Sequence, residues 1–93
     1  AAGVVVERTD DTILLELRNE TRCGDEITFI IPGQIQGVTV KLEKLINAKN
    51  GEAVEKLAAG MGNTIVVPRD WLPQSVWEKI VPCVLAYKCK HNC

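Results

Sequence analysis

Cys83, Cys89, His91 and Cys93 crowd one end of the sequence and are its densest set of residues able to do chemistry. Cysteine and histidine at close spacing are soft metal ligands. If this stretch is extended, Cys89, His91 and Cys93 project to one face, whereas Cys83 lies about 20 Å from Cys89 at ~3.3 Å per residue. The four cysteines (Cys23 is the other) therefore cannot share one ion. The centre the spacing allows is Cys89, His91 and Cys93, with Cys23 as a further ligand. Cys-x3-Cys is a loose signal. Small buried side chains with terminal thiols, or a disulfide, account for the same residues, and no metal or cofactor is assigned.

The other reactive side chains have structural readings. His91, the sole histidine, sits near the sequence end without the oriented partner a catalytic imidazole needs. Ser75, the sole serine, opens an expected helix, where first-turn polarity explains it. Asp10, Asp11, Asp25 and Glu26 read as turn acids. Lys41, Lys44, Lys49 and Lys56 interleave with Glu43, Glu52 and Glu55, so a mixed solvated face is expected, not an uncompensated phosphate-binding strip. Trp71 and Trp77 flank Pro73 and read as a lid over one end of the core.

These residues must be positioned by a β-rich chain. Among 93 residues there are 11 Val, 8 Ile and 8 Leu but only 7 Ala, and β-branched side chains favour pleated sheet. A chain this long hides roughly 60–70% of its unfolded surface, enough for one core. Eleven basic and twelve acidic side chains leave a net charge of -1, too little field for a dedicated nucleic-acid module. No apolar run approaches the ~18 residues of a membrane span. Ala1-Ala2-Gly3-Val4 lacks the basic segment and apolar core of a signal peptide. Free thiols in the cytoplasm are expected; secretion with two disulfides is the alternative, and Asn19-Glu20-Thr21 is a glycosylation sequon of little specificity.

Val4–Thr9 and Thr12–Arg18 flank Asp10-Asp11 as a hairpin, with Ile13, Leu15 and Leu17 on one face. Ile27, Phe29 and Ile31 define a strand that Pro32-Gly33 ends. Val38–Ile46 reads as a strand that alternates over Val38–Glu43, with a bend or bulge near Lys44. Asn50-Gly51 is a two-residue hairpin signal that returns the chain through Glu52–Ala58. Gly60–Asn63 loops into a buried strand, Thr64–Val67, closed by Pro68. Gln74–Val81 reads as a short helix that Pro82 stops. Cys83–Lys90 is a last strand or a kinked continuation of the helix. The expected fold is mainly β: a small barrel of six to seven short antiparallel strands over 1–93, with the helix and cysteine-bearing tail in 69–93. Gly24, Asp25, Pro32, Gly33, Asn50, Gly51 and Gly60 are its structural turn residues.

Several short segments also resemble a known family. Gly3-Val4-Val5, Leu15-x-Leu17-Arg18-Asn19, Gly24-Asp25-x-Ile27 and Pro32-Gly33 come in the order found at the start of the C-terminal domain of the collagenase-like peptidases, family U-32. Gly51-Glu52-x-Val54, Ala58-Ala59-Gly60 and Gly62-Asn63-Thr64-Ile65-Val66-Val67-Pro68 continue the likeness, which spans Gly3 to Pro68. Thr21 stands where the family more often has an aromatic residue and Cys23 where it has an aliphatic one; the tail has no counterpart. The resemblance implies a small β-barrel appended to a large (β/α) barrel in the same parent chain. Some relatives are proteases or collagenases; others hydroxylate RNA bases or quinone precursors without oxygen, using iron–sulfur ligands in the large domain. No catalytic residue of the family maps here, so the expectation is a non-catalytic accessory domain that serves a protein or RNA substrate through its parent. Two alternatives are a secreted, disulfide-stapled, toxin-like α/β protein with helices at 38–49 and 52–60, and a metal or iron–sulfur accessory domain.

Overall fold

The computed structural model describes residues 1–60 and 62–89. Ten strands run β1 (Gly3–Arg8), β2 (Thr12–Leu17), β3 (Thr21–Arg22), β4 (Glu26–Phe29), β5 (Val38–Lys41), β6 (Leu45–Asn47), β7 (Ala53–Val54), β8 (Lys56–Leu57), β9 (Thr64–Pro68) and β10 (Leu85–Cys89). A 3-10 turn, Arg69–Trp71, and one helix, α1 (Gln74–Trp77), lie between β9 and β10. The alternation of β2 dictates its placement: Ile13, Leu15 and Leu17 are fully buried while Thr12, Leu14 and Glu16 face outward.

Eight strands form one antiparallel sheet in the order β5-β4-β10-β1-β2-β9-β6-β7. β5 stands at one end of that order and the consecutive strand β6 is next to last at the other, yet only Leu42–Lys44 joins them. Four Cα steps reach at most about 14 Å, so the sheet must curl until its ends approach. A two-stranded sheet, β3 with β8, spans the remaining gap, extended by the bond from Cys23 N–H to Glu55 O at 2.9 Å. The result is a barrel-like half-barrel whose interior is filled by side chains. Phe29, Ile13, Leu15, Ile27 and Ile65 are each at most 1% exposed. Leu72, Val76, Trp77 and Ile80, in the segment between β9 and β10 here called the lid, are buried in this core, with Trp71 packed against it.

The mainly β, barrel-like fold and the bend after β5 match the sequence expectations; several details differ. Among the described residues there are ten strands in place of six or seven, because the expected Val38–Ile46 strand divides at its bend into β5 and β6, because Glu55 breaks the expected Glu52–Ala58 strand into β7 and β8, which join different sheets, and because Thr21-Arg22 pairs with β8. The helix expected over 74–81 closes after one turn, at Trp77. The Asn50-Gly51 hairpin exists, but its loop is four residues, 48–51. Gly51 N–H bonds to Asn47 O at 2.8 Å, and the Asn47 and Asn50 side chains accept the amides of Lys49 and Glu52 at 3.0 Å each. Only Gly51 takes a positive φ, of 74°. The helices that a toxin-like fold would need at 38–49 and 52–60 are strands and turns, which overturns that alternative.

Gly3, between β10 and β2, is held by space. A Cβ there would lie 2.6 Å from Glu16 O and 3.0 Å from Leu15 Cγ. Gly3→Ala should therefore cost about 1–3 kcal/mol through overpacking. Gly51→Val should cost ~1 kcal/mol or more through its positive φ, although open space surrounds that position. Urea titrations check both, and wild-type midpoints would contradict the two arguments.

Candidate functional site

The proposed ligands do not form a described centre. Cys23 is exposed, and its thiol donates to Glu43 O at 3.3 Å. Cys89 is the last residue of β10, in register with Glu26. His91 and Cys93 lie outside the described residues, as does the side chain of Cys89. Among the described residues no three His, Cys, Asp or Glu side chains gather as a cation would require. The four lysines are dispersed over β5, the bend, the 48–51 loop and β8, all exposed. Ser75 is exposed within α1.

The turn residues take specific geometries. Gly24, Gly33 and Gly60 have φ of 93°, 83° and 155°. Asp25 accepts the Arg22 amide at 2.8 Å through Oδ2 and pairs with Lys88 Nζ at 3.2 Å, tying the 22–25 turn to β10. Pro32 and Gly33 occupy the centre of a turn closed by Gln34 N–H to Ile31 O at 3.1 Å. This is the arrangement of a type II turn, with Pro first and Gly second. Val81–Val84 repeats it. Pro82 comes first, Val84 N–H closes the turn on Val81 O at 3.1 Å, and Cys83 takes the glycine position with φ of 80°.

These two turns flank an apolar groove of about 300 Å³, with Ile30 and Pro32 on one wall and the run from Val81 to Leu85 on the other. Leu85 is the register partner of Val4 on one side, and on the other its carbonyl accepts the Ile30 amide at 2.9 Å. Leu85, Tyr87, Val6, Ile30 and Val81 are 40–46% exposed, and Ile35, on the loop that follows Pro32, is 105% exposed. A second hollow of about 390 Å³ is lined by Glu16, Leu17, Arg18, Ala59 and Gly60. A third feature escaped the sequence reading. Arg8 and Arg69 both stack on buried Trp77, with Cζ 5.5 and 4.8 Å from the ring centre. Arg8 also donates to Trp77 O at 2.8 Å, and Arg69 to Asp10 O at 3.1 Å. Both guanidiniums thus pin the lid to the β1–β2 hairpin. An arginine ending an aliphatic strand was the available signal.

Residues 1–76 match the family model of the Peptidase family U32 C-terminal domain. The chain belongs to this family. The crystal structure of the C-terminal domain of a Geobacillus thermoleovorans protein assigned to the U32 peptidases has the same fold: TM-score 0.72 at 20% identity, covering 96% of this chain and 91% of that one. No curated protein matches. The family model stops at Val76, before the groove-forming 81–85 run and β10, whereas the structural likeness takes in nearly the whole U32 domain.

Cys83 holds a conformation that costs a non-glycine residue of order 1–3 kcal/mol, against roughly 0.5–1 kcal/mol of extra unfolded-state entropy for glycine. Cys83→Gly should therefore stabilise the domain by about 0.5 kcal/mol or more, read as a raised urea midpoint. A lowered midpoint would contradict the turn geometry.

Proposed function

We propose that this U32 domain is a non-catalytic accessory module of a collagenase-like peptidase homologue, docked to a large catalytic barrel in the same parent chain and helping to present a protein or RNA substrate to it. One observation carries the reading: a family match over residues 1–76 on a half-barrel whose interior is occupied by its own aliphatic side chains. A filled interior leaves the outer surface as the working part of the fold. The outer surface supports that role, because its apolar groove and its exposed Ile35 and Tyr87 are contact features. Exposed Cys23 and Cys83 thiols fit a reducing compartment, in keeping with a cytoplasmic parent. In the described residues no helix is long and apolar enough to cross a membrane.

Deleting the module from its parent tests the proposal. The large domain should keep its circular dichroism spectrum, while its activity on a macromolecular substrate falls at least tenfold, chiefly through KM. The isolated 93-residue chain should turn over nothing. Turnover by this chain alone, or full parental activity without it, contradicts the accessory role.

A further inference from the structure

In a C-terminal domain the polypeptide of the parent arrives at the first strand. Its point of entry is rigidly defined here. Ala2 is buried and donates its N–H to Ala86 O at 2.7 Å, Arg18 N–H donates to Ala2 O at 2.7 Å, and the Asn19 side chain donates to Ala1 O at 2.6 Å. The backbone is therefore held as far as Ala1. β1 runs from Gly3 to Arg8, where Arg8 binds Trp77 O of the lid, so the entry lies about 17 Å from that contact at ~3.3 Å per residue.

The hollow lined by Glu16, Leu17, Arg18, Ala59 and Gly60 opens beside this entry. Arg18 is bonded to Ala2 on one side, and Leu17 O accepts the Gly60 amide at 3.3 Å on the other. With adjacent backbones ~4.8 Å apart, Ala2 and Gly60 stand about 10 Å from each other, a span that three extended residues before Ala1 would cover. Arg18 Nη2 lies 3.5 Å from Glu16 Oε1, yet the Arg18 side chain is 59% exposed and keeps donors free for a further acceptor.

We infer that this hollow is the seat of the parent's large domain: the residues leading into Ala1 cross it, and Arg18 takes a carboxylate or backbone carbonyl from that domain. Two observations favour this occupant over a separate partner. The first is connectivity. The hollow lies within a few residues of the fixed entry, so a domain joined there meets it at an effective concentration that a free partner would have to match. The second is polarity. Interfaces between domains of one chain are more polar than permanent ones, and this hollow sets a charged pair beside the small residues Ala59 and Gly60. The inference rests on the accessory reading and adds which face of the module meets the large domain.

Hydrogen exchange read by mass spectrometry, comparing the intact parent with the isolated 93-residue chain, tests the seat. Peptides covering 16–20 and 58–60 should exchange at least tenfold more slowly in the parent. Within the parent, Arg18→Glu and Ala59→Arg should each speed that exchange at least threefold. Lys79→Glu, in the lid segment, should leave it unchanged, with circular dichroism confirming that every variant is folded. Equal exchange of both peptides in parent and isolated chain overturns the inference, whether the large domain packs elsewhere or not at all. So does protection indifferent to both substitutions. Turnover of a macromolecular substrate by the same parent reads the accessory role separately: a parent that needs the module but leaves this end unprotected loses only the seat.

Discussion

The fold depends on one late strand. β10 enters the eight-stranded sheet between β4 and β1 and, in that sheet's order, links the β4–β5 hairpin to the β1-β2-β9-β6-β7 ribbon. Its ladder on β4 runs from Ala86↔Phe29 to Cys89↔Glu26, and its entry is fixed by Ala2 N–H to Ala86 O at 2.7 Å and Val5 N–H to Val84 O at 2.8 Å. Without it, one flank each of β4 and β1 would present unpaired backbone groups beside an aliphatic interior, which is costly in water and prone to further strand pairing. Because residues 2–5 and 84–86 pair across nearly the whole chain, the core forms only when both ends are in place. Such non-local pairing predicts slow folding.

The same insertion generates the outer surface. Setting β10 beside β1 and β4 makes Leu85 a neighbour of Val4 and Ile30, and the type II turn that delivers the strand raises Val81 and Pro82 into a wall opposite Pro32. The lid is held independently, by Arg8 and Arg69 against Trp77. Barrel, lid and groove therefore share the segment after Pro68. The family match, over residues 1–76, lies mostly before that segment, whereas the structural likeness takes in nearly the whole chain.

Much of the sheet was legible from residue order. Period-two alternation placed Ile13, Leu15 and Leu17, then Ile27, Phe29 and Ile31, on the buried face, because burial on one side of a sheet imposes that period. The bend after β5 was visible where the alternation fails. Pairing partners were less legible: two-residue strands such as β3 and β8 carry no periodic signal, and their pairing exists only because the sheet curls. Asn50-Gly51 indicated a turn, but its type depended on Asn47, whose carbonyl and side chain both bond within the loop. The tail was ambiguous because Pro82 can end a helix or open a type II turn with equal local cost. The groove was illegible for the same reason, since its walls meet only through β10. The arginine–tryptophan clamp brings Arg8 onto Trp77 across a separation of 69 positions, beyond any local pattern.

Native-state hydrogen exchange of the amides of Ala2, Val5 and Ile30, whose acceptors are the carbonyls of Ala86, Val84 and Leu85, tests the role of the late strand most directly. If β10 closes the sheet, these amides open with the same free energy as the β2–β9 ladder, through global unfolding. Rapid exchange at all three while β2–β9 stays protected would mean that the sheet holds without its last strand, contradicting the architecture described above.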